Sequence, residues 1–399
     1  MFEVLKPIPQ DPILAMMASY REDTHPQKID LGIGVYKNDL GDTPIMQAVQ
    51  QAEARLLQSE TTKSYTAPAG SPLFNLRSAQ LVFGAEHPAL NDGRVISAQT
   101  PGGCGALRMG AEFLRGCSGE SRVWVSTPTW ANHIPLLGGA GLDIVEYPYY
   151  DYSNKSIQFD AMLQALESAK QGDFVLIHGC CHNPSGADLN REQWDAVADL
   201  LERNGLIPFV DMAYQGLGSG LDDDAYGVRM LAARMPEMLV ATSCSKNFGL
   251  YRERTGTLFI VAETPEQASN AGSQLFSKIR SHYSMPPSHG AAIVETILSD
   301  DALNTLWQDE LSLMRNRIQG LRQSLVAKIA ASDIEGDFSF IEQQFGMFSF
   351  LGITPQQVDQ LRTEHSIYMI DSSRMNVAGL NDQCMDYFVA ALGEVLKTP

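Results

Sequence analysis

The stretch that decides the fold is Met238-Leu239-Val240-Ala241-Thr242-Ser243-Cys244-Ser245-Lys246-Asn247-Phe248-Gly249-Leu250, with Arg254 eight positions after the lysine. It begins with a short apolar run that shows no alternation, which is typical of a strand covered on both faces of a sheet. A lysine follows the end of that run, between small hydroxyl residues and an arginine. The pattern predicts the carboxyl end of a buried strand, where open α/β sheets place their ligands.

Lys246 is predicted to be a reactive amine. Burial and the neighbouring Arg254 both disfavour the ammonium form, so the side chain can be a neutral amine at neutral pH. A neutral amine can bond to an aldehyde carbon, while Ser243, Ser245 and the Arg254 guanidinium suit a phosphate dianion. An aldehyde and a phosphate on one small molecule indicate pyridoxal 5'-phosphate. A solvated lysine at a structural strand end is the alternative, which so short a motif does not exclude by itself.

The composition indicates a folded chain with one large domain or two smaller ones. The chain has 399 residues, of which 44% are hydrophobic and 19% charged, and its net charge is −18. Such acidity opposes binding to nucleic acid or to anionic membranes. No apolar run is long enough to cross a bilayer, and the N-terminus lacks a signal-peptide pattern. Because six scattered cysteines show neither zinc-finger spacing nor a disulfide framework, we expect a reduced, cytoplasmic protein without a metal.

The middle of the chain alternates strand and helix patterns. Strands are predicted at residues 94–97, 123–126, 174–177 and 207–210, and helices at residues 106–115 and between Asn190 and Gly205. Asn190 and Gln193 have the spacing of a capping box, and Gly205 ends that helix. Pro208 suggests the first residue of its strand or an edge strand. The β-α-β order predicts an α/β fold with a mostly parallel central sheet.

The C-terminal part has a different pattern. Apolar positions recur at a four-three spacing from about residue 302 to residue 330, which predicts one long helix. A strand (347–351), a helix that starts at Thr354-Pro355, a second strand (367–370) and a final helix after Asn381 follow. This order predicts a smaller α+β domain.

Three polar residues follow apolar strands of the parallel part, namely Asn183, Asp211 and Lys246. We expect them to converge at one crevice, because the carboxyl ends of parallel strands meet at one edge. A buried Asp211 carboxylate needs a cationic partner, and a protonated pyridine nitrogen is one. Tyr214 and Asn183 could donate hydrogen bonds to the phenolic oxygen of the same ring. The alternative for Asp211 and Tyr214 is a capped turn.

Further candidates surround this crevice. The segment Gly102-Gly103-Cys104-Gly105 lies between a strand and a helix, where backbone amides can bind an anion. The alternative is a plain tight turn or a dinucleotide-binding loop. The G-x-G-x-x-G spacing typical of such a loop is absent. Trp130 could stack on a pyridine ring, and His133 and His178 could contact Asp211; each of the three could instead be a core residue. Arg280 and Arg374 could each grip a carboxylate, or lie at the surface.

These motifs together resemble the class I aminotransferases of the aspartate and aromatic amino-acid group. The resemblance runs from Asp11 to the last helix. It rests on the ordered motifs 31–36 (Leu-Gly-Ile-Gly-Val-Tyr), 65–70, 128–130 (Pro-Thr-Trp), 178–184 (His-Gly-Cys-Cys-His-Asn-Pro), 211–216 (Asp-Met-Ala-Tyr-Gln-Gly), 245–248 (Ser-Lys-Asn-Phe), 283–287 and 374–379 (Arg-Met-Asn-Val-Ala-Gly).

The resemblance implies the fold-type-I architecture of pyridoxal-phosphate enzymes and a homodimer with shared active sites. It implies an arm at residues 1–14 that contacts the partner, a large domain at 40–305, and a small domain made of 15–39 with 306–399. Lys246 would bind the cofactor covalently, Asp211 would hold the pyridine nitrogen, and Tyr214 and Asn183 would bind the phenolic oxygen. The phosphate would be bound by Gly103, Cys104, Ser243, Ser245 and Arg254, with Tyr65 reaching it from the neighbouring subunit.

The resemblance also implies how a substrate binds. Arg374 would hold the α-carboxylate, and Arg280 of the other subunit would meet a distal carboxylate. Gly34, Trp130 and Asn183 would line the substrate pocket. Freed Lys246 would act as the general base that moves the Cα proton.

Substrate preference depends on three departures from the aspartate pattern, at Gly102, Cys104 and Met285. Replacing polar groups by Gly and Met should ease the entry of a ring. We therefore expect transfer of the amino group of Phe, Tyr or Trp, and also of Asp or Glu, to 2-oxoglutarate. The alternatives are an aspartate aminotransferase with minor aromatic activity, β-decarboxylase or lyase chemistry on the same cofactor, and an aminotransferase-like sensor domain of a transcription regulator, which the acidic charge disfavours.

Overall fold

The computed structural model describes residues 1–7, 12–117 and 122–397. Asp11 and part of the expected N-terminal arm lie outside the described residues. The chain divides into two compact units, a large unit of Pro44–Asn316 and a small unit of Met1–Thr43 with Arg317–Pro399. Within the described ranges, every helix is too short or too polar to cross a membrane.

The secondary structure of the described residues follows in chain order. The strands are β1 (Ile29–Asp30), β2 (Val95–Pro101), β3 (Arg122–Thr127), β4 (Asp143–Pro148), β5 (Tyr150–Asp151), β6 (Ser156–Ile157), β7 (Phe174–His178), β8 (Ile207–Met212), β9 (Met238–Ser243), β10 (Thr255–Val261), β11 (Phe348–Phe350), β12 (Ile367–Tyr368) and β13 (Arg374–Asn376). The α-helices are α1 (Pro12–Glu22), α2 (Gln47–Ser59), α3 (Pro72–Phe83), α4 (Pro88–Asn91), α5 (Gly102–Cys117), α6 (His133–Gly138), α7 (Phe159–Leu166), α8 (Arg191–Asn204), α9 (Tyr226–Arg234), α10 (Pro265–His282), α11 (His289–Ser299), α12 (Asp301–Ala330), α13 (Phe340–Gln343), α14 (Pro355–His365) and α15 (Asp382–Leu396).

The large unit is built on a seven-stranded sheet of order β2-β10-β9-β8-β7-β3-β4. All its strands are parallel except β10, which runs antiparallel to both β2 and β9. Strands β7, β8 and β9 are apolar and almost entirely buried, as a sheet covered on both faces requires. The predicted α/β class with a mostly parallel central sheet is therefore confirmed.

Two local predictions in this unit need correction. Pro208 is the second residue of β8, which lies between β7 and β9, so neither a first position nor an edge strand is right. The proline is tolerated because pairing with β9 begins only at Phe209. Helix α5 begins at Gly102, immediately after β2, and not at residue 106. Its glycines lie in the first turn, where a flat backbone without side chains can lie close to neighbouring loops.

Helix ends follow the sequence signals closely. Asn190 and Gln193 form a complete capping box at the start of α8, and Gly205 ends that helix with φ 60°. Thr354 caps α14 in the same way, with Pro355 at its first position. Each such cap stabilises its helix by about 1 kcal/mol, so these boundaries are fixed locally and not only by packing.

The small unit surrounds its own apolar core. A parallel pair, β1 with β12, and an antiparallel pair, β11 with β13, form two short sheets. Residues of the C-terminal half of α12 and of α15 pack on them, including Leu325, Phe388 and Leu392, each fully buried. Helix α12 confirms the long helix that was predicted from the four-three spacing of apolar residues. The strand predicted at 367–370 is only two residues long, because the chain turns at Asp371 and Ser372.

Candidate active site

Neighbouring strands of the large unit bring three functional groups to one edge of the sheet. Asp211 of β8 lies in register with His178 of β7 and with Ala241 of β9. Lys246 follows three residues after β9 ends. Because these strands are parallel, their carboxyl ends meet at one edge. A histidine, a carboxylate and a lysine that are far apart in sequence are therefore collected there.

Asp211 is a buried carboxylate held by His133. Its exposed fraction is 7%, and its Oδ2 lies 3.0 Å from Nε2 of His133, whose Nδ1 lies 2.7 Å from Oγ1 of Thr129. Burial raises the pKa of Asp211, but the hydrogen bond from His133 and the electrostatic interactions with His133, His178 and Lys246 together lower it below its ordinary value. The carboxylate is therefore ionised at neutral pH and can hold a further cationic group.

A row of ring contacts runs from His133 through His178 and His182 to Tyr149. The ring centroids of His133 and His178 are 5.2 Å apart, those of His178 and His182 are 4.3 Å apart, and His182 stacks on Tyr149 at 4.1 Å. Burial, followed by repulsion from His133, lowers the pKa of His178 to about 3, although Asp211 opposes this. Burial also lowers the pKa of His182 well below its ordinary value. Both rings are therefore neutral at pH 7.

Lys246 is half-buried at the same edge of the sheet, with its Nζ 4.8 Å from the centre of the Tyr214 ring. Burial lowers the pKa of the amine; the negative charge of Asp211 opposes that shift, and Arg254 adds to it. The net pKa lies below its ordinary value. The neutral amine is therefore more available than on an exposed lysine, which is what a nucleophile or a general base requires.

An anion cup lies beside Lys246, formed by Gly103, Ser243, Ser245 and Arg254. The Ser245 amide donates to Ser243 Oγ at 3.2 Å, and Nη1 of Arg254 lies 3.4 Å from Ser245 Oγ. A side chain on Gly102 would put Cβ 2.6 Å from Nη2 of Arg254, so glycine there lets the guanidinium lie against the start of α5. The first amides of a helix have no partner within the helix. Guanidinium, hydroxyls and helix N-terminus together suit a phosphate.

The other predicted residues of the large unit line this edge or lie near it. Trp130 meets the His133 ring edge-on at a centroid distance of 5.3 Å. Cys104 is half-buried in the first turn of α5, and Asn183 is 7% exposed in the loop after β7. Tyr214 is almost fully buried in the loop after β8.

Tyr65 and Arg280 are different, because both are exposed. Tyr65 has an exposed fraction of 92%, and the guanidinium of Arg280, near the end of α10, contacts Ser284 Oγ. In the described part of the chain, neither makes a hydrogen bond or ion pair with Lys246 or Asp211. Near Tyr65, the amide of Thr66 donates to Met285 Sδ at 3.1 Å.

The small unit holds the remaining predicted residues. Arg374 of β13 is 6% exposed; its Nη2 donates to the Gly32 carbonyl at 2.7 Å, and its guanidinium lies 4.3 Å from the centre of the Phe348 ring. A Cβ on Gly34 would come within 2.8 Å of Phe348 Cζ, so only glycine fits there without moving the ring. This buried, oriented guanidinium suits bidentate binding of a carboxylate.

Sequence reasoning missed two residues that hold these groups. The hydroxyl of Thr129 lies within hydrogen-bond distance of Nδ1 of His133 and so holds that ring. The sequence signal for this contact was the four-residue spacing between Thr129 and His133. Phe348 supports Arg374, but its apolar strand gave no sign of more than a core role.

The large unit fits pyridoxal phosphate by the chemistry of its donors. The buried, ionised Asp211 matches a protonated pyridine nitrogen, the anion cup matches a phosphate dianion, and the half-buried Lys246 amine matches an aldehyde.

Comparisons with known proteins agree with that chemistry. Residues 26–392 match the family model of class I and II aminotransferases. The aspartate aminotransferase of Escherichia coli strain K12 is 48% identical over 99% of this chain and 100% of its own length. The aromatic-amino-acid aminotransferase of Pseudomonas aeruginosa is 46% identical over 97% of each chain. The structure of the Burkholderia pseudomallei aromatic-amino-acid aminotransferase, covalently bound to pyridoxal phosphate, has a TM-score of 0.98, with 41% identity and 99% of each chain covered.

Proposed function

Because this chain belongs to the class I and II aminotransferase family, we propose that it moves the amino group of phenylalanine, tyrosine or tryptophan, and also of aspartate or glutamate, to 2-oxoglutarate, with pyridoxal phosphate as its cofactor. The observation that carries the proposal is the half-buried Lys246 amine beside Tyr214, at the same strand edge as the ionised Asp211. Relatives named for aspartate and for aromatic amino acids are similar to it to nearly the same degree.

The large unit supplies the residues proposed to hold the cofactor. Asp211 holds the pyridine nitrogen, and Tyr214 with Asn183 binds the phenolic oxygen. Trp130 lies against the ring. The phosphate is assigned to Gly103, Cys104, Ser243, Ser245 and Arg254. When bound, pyridoxal phosphate supplies an electron sink for the pair left on the substrate carbon.

Lys246 is proposed to move the proton. Its Nζ takes the proton from the Cα of the amino acid and later returns one, which requires a neutral amine at the start of each cycle. Burial of the amine supports that state, since it lowers the pKa of Lys246. The nearby carboxylate of Asp211 stays ionised throughout, because its hydrogen bond with His133 lowers its own pKa.

The substrate carboxylates are assigned to two arginines. Arg374, with Gly34 beside its supporting ring, is proposed to bind the α-carboxylate, and Arg280 the distal carboxylate of aspartate or glutamate. Exposure of Tyr65 and Arg280 supports a homodimer in which both reach the site of the partner, with residues 1–14 as an arm on its surface. We assign the enzyme to the cytoplasm, which is favoured by six cysteines that all lie in the described ranges and form no disulfide there.

Aromatic preference rests on the polar groups that the chain lacks near its substrate. Gly102 has no side chain, and Met285 has only a thioether sulfur, a weak acceptor that already accepts from the Thr66 amide. The thiol of Cys104 is a weaker donor than a hydroxyl. The second candidate is an aspartate aminotransferase with minor aromatic activity, which the 48% identity to the Escherichia coli enzyme favours.

The test is a half-reaction on the purified yellow enzyme. Phenylalanine and aspartate are each added alone, and the cofactor absorbance is followed as it bleaches. Rapid bleaching by both is expected, and Lys246→Ala should retain cofactor but not bleach. Bleaching by aspartate alone would establish the second candidate. Ammonia or pyruvate formed without consumption of 2-oxoglutarate would show lyase chemistry and contradict the proposal.

A further inference from the structure

His133, His178 and Asp211 form a compact set of metal-binding atoms at the strand edge. One donor atom of each lies within 4.8 Å of the others, and His133 Nε2 is 3.0 Å from Asp211 Oδ2. Two atoms that bind one metal ion at about 2.1 Å are at most about 4.2 Å apart. A small rotation of the His178 ring therefore completes a site. We propose that the cofactor-free chain binds one divalent transition-metal ion, such as Zn²⁺ or Co²⁺, through these three residues.

The donor types agree with such an ion. Two imidazoles and one carboxylate are a set that Fe, Co and Zn accept, whereas Ca²⁺ and Mg²⁺ prefer oxygen. Thr129 holds the outer nitrogen of His133 at 2.7 Å, which is how metal-binding histidines are usually oriented.

A second observation comes from His178. Its Nε2 is buried and, among the residues that the structure describes, has no hydrogen-bond partner. A buried polar atom without a partner costs free energy, so the ring gains by turning toward a ligand. The Nε2 atom of His178 therefore has no hydrogen bond that a metal ion would have to break.

Protons balance without a new acid or base. With the carboxylate ionised, His133 Nε2–H donates to Asp211, and Nδ1 accepts from the Thr129 hydroxyl. When the ion binds Nε2, the proton moves to Nδ1, and the hydroxyl rotates from donor to acceptor. Asp211 keeps its negative charge and becomes the third ligand.

Metal and cofactor should exclude each other. This step rests on the proposed function, in which Asp211 holds the pyridine nitrogen. One carboxylate cannot serve both cations in the same space, so each ligand lowers the apparent affinity of the other. A divalent ion would therefore delay activation of newly made chain by pyridoxal phosphate.

Surface histidines provide the comparison. His282, His289 and His365 lie 3.5 Å, 3.8 Å and 3.6 Å from Glu112, Glu53 and Glu394. Each is a single pair with at least one partly exposed or exposed member, so each offers two ligands and little preorganisation. Weak metal binding there must be separated from the proposed site.

The experiment uses the full-length chain, freed of cofactor with hydroxylamine and dialysed. Co²⁺ is added, and the visible ligand-field absorption is recorded. We expect saturation at one ion per chain, a loss of at least about tenfold in affinity for His178→Gln, and no change for the surface variant His282→Gln. Circular dichroism checks that the variants fold, and His133→Gln is a second test. Absence of a saturating band, or its survival in His178→Gln, would overturn the proposal.

Competition then separates this proposal from the proposed function. Pyridoxal phosphate added to the Co²⁺-bound chain should abolish the band as the yellow colour appears. Suppose that the band is lost in His178→Gln, but that in the unsubstituted chain it persists beside bound pyridoxal phosphate. The metal site then stands, whereas mutual exclusion and the assignment of Asp211 to the pyridine nitrogen are wrong. If no band forms but both amino acids bleach the enzyme, only the metal proposal fails.

Discussion

Asp211 and Lys246 show how burial acts on single residues in this protein. Burial disfavours both charges, yet the outcomes differ because their neighbours differ. Burial is the largest single influence on both pKa values. At Asp211 the hydrogen bond from His133 and the electrostatic interactions with neighbouring residues together outweigh burial, whereas at Lys246 burial prevails and lowers the pKa. One buried edge therefore holds an anion and an amine ready to accept a proton, which is how paired groups acquire separate roles.

His178 makes the stability of the cofactor-free protein depend on pH. Its pKa is about 3 in the folded state, below the ordinary value of 6.5, so the unfolded chain binds the extra proton first. Stability should therefore fall as pH falls below 6.5, by up to about 1.4 kcal/mol per pH unit for this group. The free energy of unfolding in urea should be measured between about pH 6 and pH 5. In His178→Asn it should change with pH less steeply, by about that amount per pH unit.

The control for this prediction is His25→Asn, because His25 is exposed. The pH dependence of the unfolding free energy of this variant should match that of the unsubstituted chain. Equal slopes for His178→Asn and the unsubstituted chain would mean that His178 takes up its proton in the folded state, contrary to its burial.

The sequence was most informative about residues whose chemistry is explicit. Lys246, with two serines and an arginine nearby, indicated its environment only together with the motifs around Asn183 and Asp211, and the structure brings Asp211 to the same edge. Thr129 and Phe348 could not be found in this way. Their roles depend on which ring they touch, and those contacts arise from packing between segments that are distant in sequence or separated by a turn.

At the scale of elements, the packing of α5 on β8 positions Asp211. Gly110 of α5 faces Phe209, two residues before Asp211, and a Cβ there would lie 2.6 Å from the ring. Because Phe209 is fully buried, it cannot move aside without cost. Gly110→Ala should destabilise the protein by about 1–2 kcal/mol despite the better helix propensity of alanine, and should lower the half-reaction rate. Urea unfolding and stopped-flow absorbance measure the two effects.

Gly320 of α12 is the matched control. It is also a glycine within a helix, but a Cβ there would meet nothing within 4 Å. Gly320→Ala should therefore stabilise the protein by about 0.5–1 kcal/mol and leave the half-reaction unchanged. If both substitutions had the same sign, helix propensity and not the contact with Phe209 would explain the result.

Element positions were predictable where local signals agree with packing. The apolar runs of β7, β8 and β9 and the capping box of α8 each predicted the observed structure. Errors occurred where tertiary contacts override a local rule. Pro208 lies inside a central strand because its missing amide falls before pairing with β9 begins. A single sequence does not show strand order, so the antiparallel β10 between β2 and β9 could not be foreseen either.

At the scale of the whole molecule, the proposed homodimer explains why two residues of the expected site are exposed in one chain. Tyr65 is 92% exposed, and Arg280 lies at the surface of α10. Exposed aromatic and arginine side chains are enriched where chains associate. If Arg280 acts in the site of the partner, each active site needs Lys246 from one chain and Arg280 from the other.

Complementation between two inactive variants tests that arrangement. Lys246→Ala and Arg280→Ala are co-expressed with different affinity tags, and each alone should show little activity toward aspartate. Random pairing makes half of the dimers mixed, and each mixed dimer has one intact site of two. Activity toward aspartate should therefore recover to about a quarter of the unsubstituted value. Purification through both tags should raise it to about half, because only mixed dimers remain.

The tagged mixture also distinguishes the competing arrangements. If Arg280 acted within its own chain, no mixed dimer would contain an intact site, and activity toward aspartate would stay at the level of the separate variants. If the protein did not form dimers, no chain would carry through both tags. Phenylalanine provides the internal control, since it has no distal carboxylate for Arg280 to bind. With phenylalanine, Arg280→Ala alone should keep most of its activity, because its Lys246 is intact. Mixing it with Lys246→Ala should add no further activity.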